Sequence, residues 1–422
     1  MLFLTTTLIS CKTSNDEKTF DPDANLDYDN MIYDDFTSGL NKDIWFVGNS
    51  TWGTNNNGVK WQNVLWTDDG NIAIRALGND YSGDVLGNDG VNPAVRSGGK
   101  ISTRQPLGPG RYEVRMKVLP RFGSTTAMWT YAFEDGQNHE IDIELNVNDS
   151  FYNIWTTNWT TVEDYDHREV ETDILNNDGE FHTYKFEWHT NPERVDYYVD
   201  DILIHTSYAN IPTIAGQFNI GNWFPTWAGL PDFEVDYTII DWFRYTPYLN
   251  NPYEAREKKE ASIDEWYPSE QVTLPKPNLL SNFGFEYANE AWKKDLFSEV
   301  TILDNAGINQ SRALEVPAND ITYQHISGMD ESFVLKFSAY VKFDPETSDG
   351  GSFLFEFKPS EEKVLGRKTI TIDTSNANYV GNGYYLIEDE IELVEDTKRI
   401  EFSIIGGTKG SIFIDDIFLN KK

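Results

Sequence analysis

Three acidic residues alternate with apolar residues in the segment from His139 to Leu145. In a β-strand, residues i, i+2 and i+4 point to one face, so this spacing places the carboxyl groups of Glu140, Asp142 and Glu144 side by side. Neighbouring carboxylates push one another's pKa values apart, and one can stay ionised while another holds a proton. Retaining glycosidases use such a pair, a nucleophile and an acid/base about 5–5.5 Å apart.

The separation of the two glutamates bears directly on this interpretation. Cα atoms four residues apart on a strand are separated by about 13 Å, so two long side chains must lean towards each other to approach. Asp142 lies between them, where it can hydrogen-bond and orient the nucleophile. The alternative is an ordinary solvated strand face, although three like charges on one face are unfavourable without solvent, cations or a function.

Other short strands are predicted to hold this segment in place. Period-two runs rich in β-branched and aromatic residues recur, separated by Gly, Asn, Asp and Pro, as in Asn71 to Ala76, Arg111 to Val118 and Thr183 to Trp188. No helical period of ten or more residues precedes Pro247. The pattern predicts an all-β fold built from a β-sandwich.

The chain is too long for one ordinary core, and its composition predicts five segments. They are a signal peptide over 1–11, an acidic tether over 12–30, a sandwich domain over 31–248, a proline-containing linker over 249–276 and a second β-sandwich over 277–422. Within the linker, the charged run from Tyr253 to Ile263 is compatible with a short helix.

Cys11 is the single cysteine, which excludes an intrachain disulfide and a cysteine-based metal site. It follows an apolar run and Ser10, and resembles the end of a bacterial lipoprotein signal peptide, although no Lys or Arg precedes the run. The resemblance implies a secreted protein, lipid-anchored through Cys11 to the outer membrane or cell surface of a bacterium. The alternative is a chance cysteine after a short apolar start.

The formal net charge of −35 indicates which partners the protein can attract. A field of this sign repels nucleic acid and anionic lipid at long range, without excluding a local basic pocket. The 13 tryptophans and 22 tyrosines suit the flat faces of sugar rings as well as β cores. We therefore expect a polysaccharide as partner, no nucleic acid, membrane contact through the lipid alone, and a monomer.

The acidic strand resembles the active-site motif Glu-x-Asp-x-Glu of glycoside hydrolase family 16, and the resemblance extends over residues 31–248. Five further segments resemble family segments in the same order: Gly108 to Lys117, Gly123 to Tyr131, Asp178 to Trp188, Tyr198 to Ile204 and Asp241 to Tyr245. The resemblance implies a concave β-jelly-roll that cleaves a polysaccharide internally with retention of configuration. By position, Glu140 is the nucleophile, Asp142 the supporting carboxylate and Glu144 the general acid/base, without a catalytic cofactor.

The uninterrupted spacing of the motif matches the lichenase and xyloglucan-transferase members, which favours a β-1,3/1,4-glucan as substrate. Two alternatives stay open, hydrolysis of an algal galactan of the agar or porphyran type, and a non-catalytic surface glycan-binding lipoprotein. The intact acids argue against the latter. The sequence does not decide between hydrolysis and transglycosylation.

Seven residues are substrate-binding candidates by their positions in the family. They are Arg96, Trp129, His139, Trp155, Trp159, Trp223 and Trp227. Sugar rings present apolar C–H patches that pack on aromatic faces. Each tryptophan is equally expected in the core, with Trp129 and Trp223 the preferred candidates, and His139 equally suits a core or rim position.

Structural Ca²⁺ is expected at two places by resemblance. Asp241 matches a ligand position on the convex side of lichenase-like members, although a strand-end aspartate is also ordinary. The segments Asn278 to Glu286 and Ile414 to Ile417 resemble carbohydrate-binding module families 4 and 9, which implies a second ion at Glu286 and Asp415. In that module Trp292 and Tyr323 could stack on sugar, but core packing is the expected role. A sandwich without ligand is the alternative.

Overall fold

The structure is a computed structural model. It describes residues 25–422 apart from 53–57, 79–95, 120, 122, 147–151, 175, 177–178, 230–232, 254, 276–277, 281–282, 286–291, 295–299, 328, 330–333 and 361–362. The signal peptide with Cys11, most of the tether, and Glu286 therefore lie outside the described residues, and lipidation stays a prediction. Within the described ranges, no helix has the length and apolar character needed to cross a membrane.

The described residues form strands, three 3-10 helices (Tyr28–Asn30, Trp61–Asn63 and Thr226–Ala228) and no α-helix, which confirms the predicted all-β class. The first sandwich contains β1 (Ile32–Asp34), β2 (Trp45–Val47), β3 (Val64–Thr67), β4 (Ile72–Leu77), β5 (Gly99–Leu107), β6 (Gly110–Lys117), β7 (Thr125–Glu134), β8 (Gln137–Asn146), β9 (Asn153–Trp159), β10 (Tyr165–Glu171), β11 (His182–Thr190), β12 (Glu193–Val199), β13 (Ile202–Ser207), β14 (Gly216–Trp223), β15 (Val235–Pro247) and β16 (Gln271–Val272). The second contains β17 (Thr301–Leu303), β18 (Ala313–Pro317), β19 (Ile321–Ile326), β20 (Val334–Lys342), β21 (Gly351–Lys358), β22 (Gly366–Ile372), β23 (Asn378–Gly381), β24 (Tyr384–Glu392), β25 (Arg399–Gly406) and β26 (Ser411–Lys421).

Two large sheets face each other in the first sandwich. One runs β13-β12-β11-β6-β15-β4-β3-β16, with β1 also on β15, and the other runs β10-β9-β8-β7-β14-β5-β2. Their pairings are antiparallel except for the short parallel contact of β16 with β3. Aromatic residues such as Trp45, Tyr112 and Phe218 fill the space between the sheets and are fully buried. The acidic strand β8 lies inside the second sheet, between β7 and β9.

A tight turn fixes the register of β8. Glu134 and Gln137 pair across a two-residue loop, and both loop residues have positive φ, 52° at Asp135 and 80° at Gly136. This is the type I′ geometry that Asp-Gly favours in hairpins. Because side chains alternate along a strand, a slip of one residue would turn every acid into the core, so the turn protects the arrangement of the site.

The second sandwich has its own core. Its sheets run β17-β18-β26-β20-β24-β23 and β19-β25-β21-β22. Phenylalanines from both sheets pack between them, with Phe337 and Phe402 at a ring-centroid distance of 5.8 Å. Trp292 is 4% exposed and belongs to this core, which agrees with the packing role expected for it.

The segment that follows β15 lies across the first sandwich. No helix forms in its described residues from Tyr253 to Ile263, so the short helix considered from sequence is wrong. The backbone groups of Lys259 instead bond β5, through its N–H to the Arg104 carbonyl (2.9 Å) and its carbonyl from Arg104 Nη1 (3.1 Å). Arg104 also forms an ion pair with Glu265. These long-range partners replace the i to i−4 bonds that a helix would use.

Arg121 joins the two sandwiches. Its Nε lies 2.6 Å from the Asp236 carboxylate in the first sandwich, and its Nη1 donates to the Leu279 carbonyl at the start of the second (2.9 Å). Arg121 is 4% exposed, so this contact is a buried one. A second, more exposed ion pair connects Lys398 with Glu180.

Candidate active site

The three acids lie along one face of β8, as the alternation predicted. The intervening residues Ile141 and Ile143 have no exposed surface and enter the core. Across the sheet, Glu140 is opposite Trp159 and Tyr131, Asp142 is opposite Thr157 and Trp129, and Glu144 is opposite Trp155 and Ala127. Directly opposite residues share a face, so aromatic side chains flank the acids on both neighbouring strands.

The acids line a concave cavity of about 400 Å³. Its lining residues are Trp52, Ala127, Trp129, Glu140, Asp142, Glu144, Trp155, Thr157, Trp159, Tyr165, His167, Trp223 and Trp227. A mostly apolar cavity of this size with a few convergent polar groups is typical of a small-molecule or sugar-binding site.

Asp142 is the most enclosed of the three acids, at 6% exposed. Its Oδ2 accepts a hydrogen bond from Trp159 Nε1 at 2.9 Å. Burial first, and then the charges of Glu140 and Glu144, raise the pKa of Asp142 well above its ordinary range. The hydrogen bond between Asp142 and Glu140 also raises the pKa of Asp142 and lowers that of Glu140.

The pKa values of Glu140 and Glu144 are raised as well. Burial, followed by the charge of Glu144, raises the pKa of Glu140 to about 8, against the lowering effects of the Asp142 hydrogen bond and of Lys100. Burial raises the pKa of Glu144 to about 7. Taken singly, these values would put the proton on Glu140.

The neighbours of Glu140 and Glu144 differ in the support they give to a negative charge. Glu140 has a hydrogen-bond donor in Asp142 and a nearby cation in Lys100, and both stabilise a negative charge. No such support is resolved for Glu144, whose shift has burial as its cause. Because interacting groups lose their protons in steps that belong to the pair, the two values describe the joint titration of Glu140 and Glu144.

Residues 48–238, within the first sandwich, match the model of the family described as glycosyl hydrolases family 16. This part of the chain is thus similar to family 16 glycosyl hydrolases, which agrees with the predicted class, a glycoside hydrolase.

Curated proteins similar to the first sandwich are bacterial proteins named beta-glucanase. That of Paenibacillus macerans is 27% identical over 223 residues, which cover 48% of this chain and 85% of the relative. The beta-glucanase of Bacillus subtilis is 32% identical over 155 residues, which cover 35% of this chain and 62% of the relative. For Acetivibrio thermocellus the identity is 28% over 169 residues, covering 36% of this chain and 48% of the relative. The chain thus spans about half the length of this last relative.

Solved structures also resemble the domain. The Bacillus licheniformis beta-glucanase is 23% identical, with a TM-score of 0.44, over 51% of this chain and 97% of that one. A lichenase from a mouse hindgut metagenome is 21% identical, also with a TM-score of 0.44, over 51% of this chain and 99% of that one.

All five predicted tryptophans line the cavity of the first sandwich. Trp155 and Trp227 stack with ring centroids 5.0 Å apart, and Trp223 packs edge-on against Trp227 at 5.7 Å. Trp129 approaches Trp52, a residue that sequence reasoning missed, at 5.9 Å. The cavity therefore has an aromatic wall on the Glu144 side of the acidic row, as well as Trp159 on the Glu140 side.

His139 and Arg96 are absent from the residues that line the cavity. His139 precedes Glu140 by one position, so strand alternation turns it to the opposite face, where it is 7% exposed. Its Nδ1 accepts a long hydrogen bond from the Thr213 amide, at 3.5 Å. Arg96 is 7% exposed just before β5. The substrate contacts predicted for these two residues therefore have no support in the geometry.

Lys100, Tyr165 and His167 also belong to the site and were missed. Tyr165 packs on Trp159 at 4.4 Å, and His167 packs edge-on against Trp155 at 5.2 Å, which extends the aromatic wall onto β10. The Lys100 ammonium lies 5.1 Å from the Trp52 ring centroid. The period-two spacing of Tyr165 and His167 indicates that both side chains lie on one face of a strand, so the sequence carries a signal for this pair. Lys100, in contrast, reaches the site through the pairing of β5 with β14.

The surroundings of Asp241 and Asp415 do not fit Ca²⁺. The Asp241 carboxylate forms an ion pair with Arg115, which occupies the place of a cation. Asp415 is fully buried, and its oxygens accept hydrogen bonds from the amides of Ile308 (2.8 Å) and Asp416 (2.9 Å) and from the Ser311 hydroxyl (2.7 Å). Hydrogen-bond donors aimed at a carboxylate neutralise it without a metal.

Glu187, His189 and Asp196 form the one described cluster with the donor types of a metal site. It lies on β11 and β12, in the sheet opposite the acids. Arg111 pairs with Glu187 (2.6 Å) and Arg194 with Asp196 (2.8 Å), while His189 Nε2 lies 3.1 Å from Asp196. This is a hydrogen-bonded ionic network.

Proposed function

We propose that the chain hydrolyses a β-glucan, most directly one with mixed β-1,3/1,4 linkages, by double displacement. One observation carries the proposal: Glu140, Asp142 and Glu144 form a row on the floor of a cavity walled by tryptophan. The substrate class is supported by the curated relatives named beta-glucanase.

In the first step the Glu140 carboxylate attacks the anomeric carbon as the glycosidic C–O bond breaks. Glu144 gives its proton to the departing oxygen, so the leaving sugar departs as a neutral alcohol. Asp142, hydrogen-bonded to both Glu140 and Trp159, holds the nucleophile in orientation.

In the second step the ionised Glu144 takes a proton from water, and the water oxygen attacks the anomeric carbon. The bond to Glu140 breaks, and Glu140 regains its carboxylate. Two inversions give net retention of configuration.

The aromatic wall supplies the hold on the polymer. Sugar rings pack on aromatic faces, and exposed ring pairs on both sides of the acidic row suit a chain that passes through the cavity. Binding on both sides of the cleavage point favours cleavage within the polymer. We also propose that the second sandwich holds the same polymer and raises its local concentration.

The test is an assay of new reducing ends on lichenan, laminarin, xyloglucan, agarose and porphyran. We expect turnover on a β-glucan, with the initial product in the β configuration by NMR. Glu140→Gln should abolish turnover, whereas the matched Glu171→Gln, at the exposed end of β10, should not change it. Turnover confined to a galactan, or an inverted product, would contradict the proposal.

A further inference from the structure

A second cavity, of about 680 Å³, adjoins the catalytic one at the Glu140 end. Tyr131 forms the boundary, because it lines the second cavity while its partner across β7 and β8, Glu140, lines the first. The other lining residues are Pro106, Ala132, Phe133, Ala215, Gly216, Gln217, Ala255, Arg256, Glu257, Lys258 and Lys259. A polymer that leaves the catalytic cavity past Tyr131 therefore enters this space.

One wall of the second cavity is the segment 255–259, which lies outside the matched family region 48–238. Several hydrogen bonds hold it against the first sandwich. Gln105 Nε2 donates to the Arg256 carbonyl (3.2 Å), and Arg256 Nη1 donates to the Ala215 carbonyl (3.2 Å). The Lys259 amide donates to the Arg104 carbonyl (2.9 Å). The wall is thus a fixed part of the cleft.

The wall is basic in a strongly acidic protein. Arg256, Lys258 and Lys259 line the cavity, whereas the whole chain has a net charge of −35. Among the described acids near this wall, Glu134 pairs with Arg256 at 3.2 Å and Glu265 pairs with Arg104, while Glu257 and Glu260 form no ion pair. Among the described residues, part of the positive charge therefore has no carboxylate within ion-pair distance.

The lysines are the cations without a carboxylate partner. Within the described part of the chain, no carboxylate lies within 4 Å of the ammonium group of Lys258, Lys259 or the nearby Lys100. The Lys259 ammonium rests 3.3 Å from the centroid of the Phe46 ring, and that of Lys100 lies over Trp52 and Trp129. Burial and the charge of Lys259 lower the pKa of Lys100 to about 8. A ligand anion would relieve this repulsion.

We propose that the basic cavity binds an acidic substituent, a sulfate ester or a carboxylate, on a sugar unit close to the cleavage point. The inference rests on the proposed function and narrows its substrate class to a polysaccharide with sparse acidic groups. Sulfate and carboxylate oxygens accept charge-assisted hydrogen bonds from guanidinium and ammonium groups. A densely charged polyanion is excluded, because the field of the whole protein repels it at long range.

The test compares lichenan, the mixed-linkage glucan of the proposed function, with carboxymethyl lichenan and with sulfated lichenan, both of low substitution. We expect kcat/KM to be roughly tenfold higher on at least one derivative, the effect of about one charge-assisted hydrogen bond, and to fall with added salt. In Lys258→Gln/Lys259→Gln, this ratio of derivative to parent should fall about tenfold, mainly through KM. The matched control Lys336→Gln, exposed on the second sandwich, should keep the ratio. The two derivatives distinguish sulfate from carboxylate.

Equal or lower kcat/KM on both derivatives, or a ratio that the double variant leaves unchanged, would overturn the inference while the β-glucanase proposal stands. If no β-glucan is cleaved, the proposed function fails instead. Calorimetry with Glu140→Gln and the same three polymers then still decides whether the lysines bind the acidic groups. If the double variant does not fold, the measurement is repeated with Lys258→Gln alone, because Lys258 is exposed.

Discussion

Replacing Lys100 by Met should shift the acidic limb of the kcat/KM profile to higher pH. The positive charge of Lys100 lowers the pKa of Glu140 against the larger effects of burial and of Glu144. Without that charge, ionisation of the nucleophile requires a higher pH. The acidic limb of kcat/KM reports the essential base of the free enzyme, which is Glu140 in the proposed mechanism.

The size of the shift follows from the position of the ammonium group, 5.1 Å and 5.6 Å from the ring centroids of Trp52 and Trp129 in the cavity wall. For a separation of roughly 8–10 Å from the carboxylate and an effective dielectric of about 20, Coulomb's law gives roughly 2 kcal/mol. Salt screening reduces this to about one pKa unit.

The assay is the pH dependence of kcat/KM on a soluble β-glucan, with Lys100→Arg as the charge-preserving control. The arginine variant should keep the limb near its wild-type position, because Arg stays protonated throughout this range. An unchanged limb in Lys100→Met, or equal shifts in both variants, would refute the electrostatic role of Lys100.

Three further predictions test other contacts. Glu144→Gln should remove the basic limb of the profile and keep the acidic one, because the amide has no proton to lose; a surviving basic limb would assign the acid elsewhere. Arg121→Met should lower the free energy of unfolding by about 3 kcal/mol in urea titrations, since Asp236 is left buried without its partner, and Arg121→Lys should lose less. The hydrogen bonds of His189 to Asp196 and Glu187 outweigh burial and raise its pKa above 6.5. That stabilisation is fully present below pH 6.5 and is lost as pH rises through the folded-state pKa, so His189→Gln should cost more stability at pH 5.5 than at pH 8. A cost independent of pH would show that His189 acts through packing alone.

Strand parity accounts for what the sequence predicted best and decides between the two positions considered for His139. The alternation around Asp142 correctly buried Ile141 and Ile143 and turned the acids outwards. The same parity places His139 on the core side with Ile141, which favours the core position over the cleft. The Asp135-Gly136 pair was also a readable hairpin signal, since it fixes the register on which the site depends.

Contacts between distant segments explain what the sequence could not predict. The run from Tyr253 to Ile263 carries the charges of a solvated helix, yet Lys259 bonds the backbone of Arg104, more than 150 residues earlier. Lys100 and Trp52 approach each other because β5 pairs with β2, the strand that precedes Trp52, and with β14. Neither juxtaposition leaves a periodic signal in the local sequence.

The row of acids should destabilise the fold at neutral pH, and removing one should stabilise it. Burial raises the pKa of Glu144 from 4.5 to about 7, so the folded state binds a proton that the unfolded state has lost. For a carboxyl group shifted in this direction, stability falls as pH rises from the unfolded value through the folded one. Glu144→Gln should therefore raise the free energy of unfolding at pH 8 by roughly 3 kcal/mol, and by little at pH 4, where the glutamate is mostly protonated in both states. Thermal unfolding at the two pH values measures the difference, with Glu171→Gln on exposed β10 as the control. A variant less stable than wild type at pH 8 would mean that favourable contacts hold the Glu144 carboxylate. The idea that the row of acids lowers stability in exchange for activity would then be wrong.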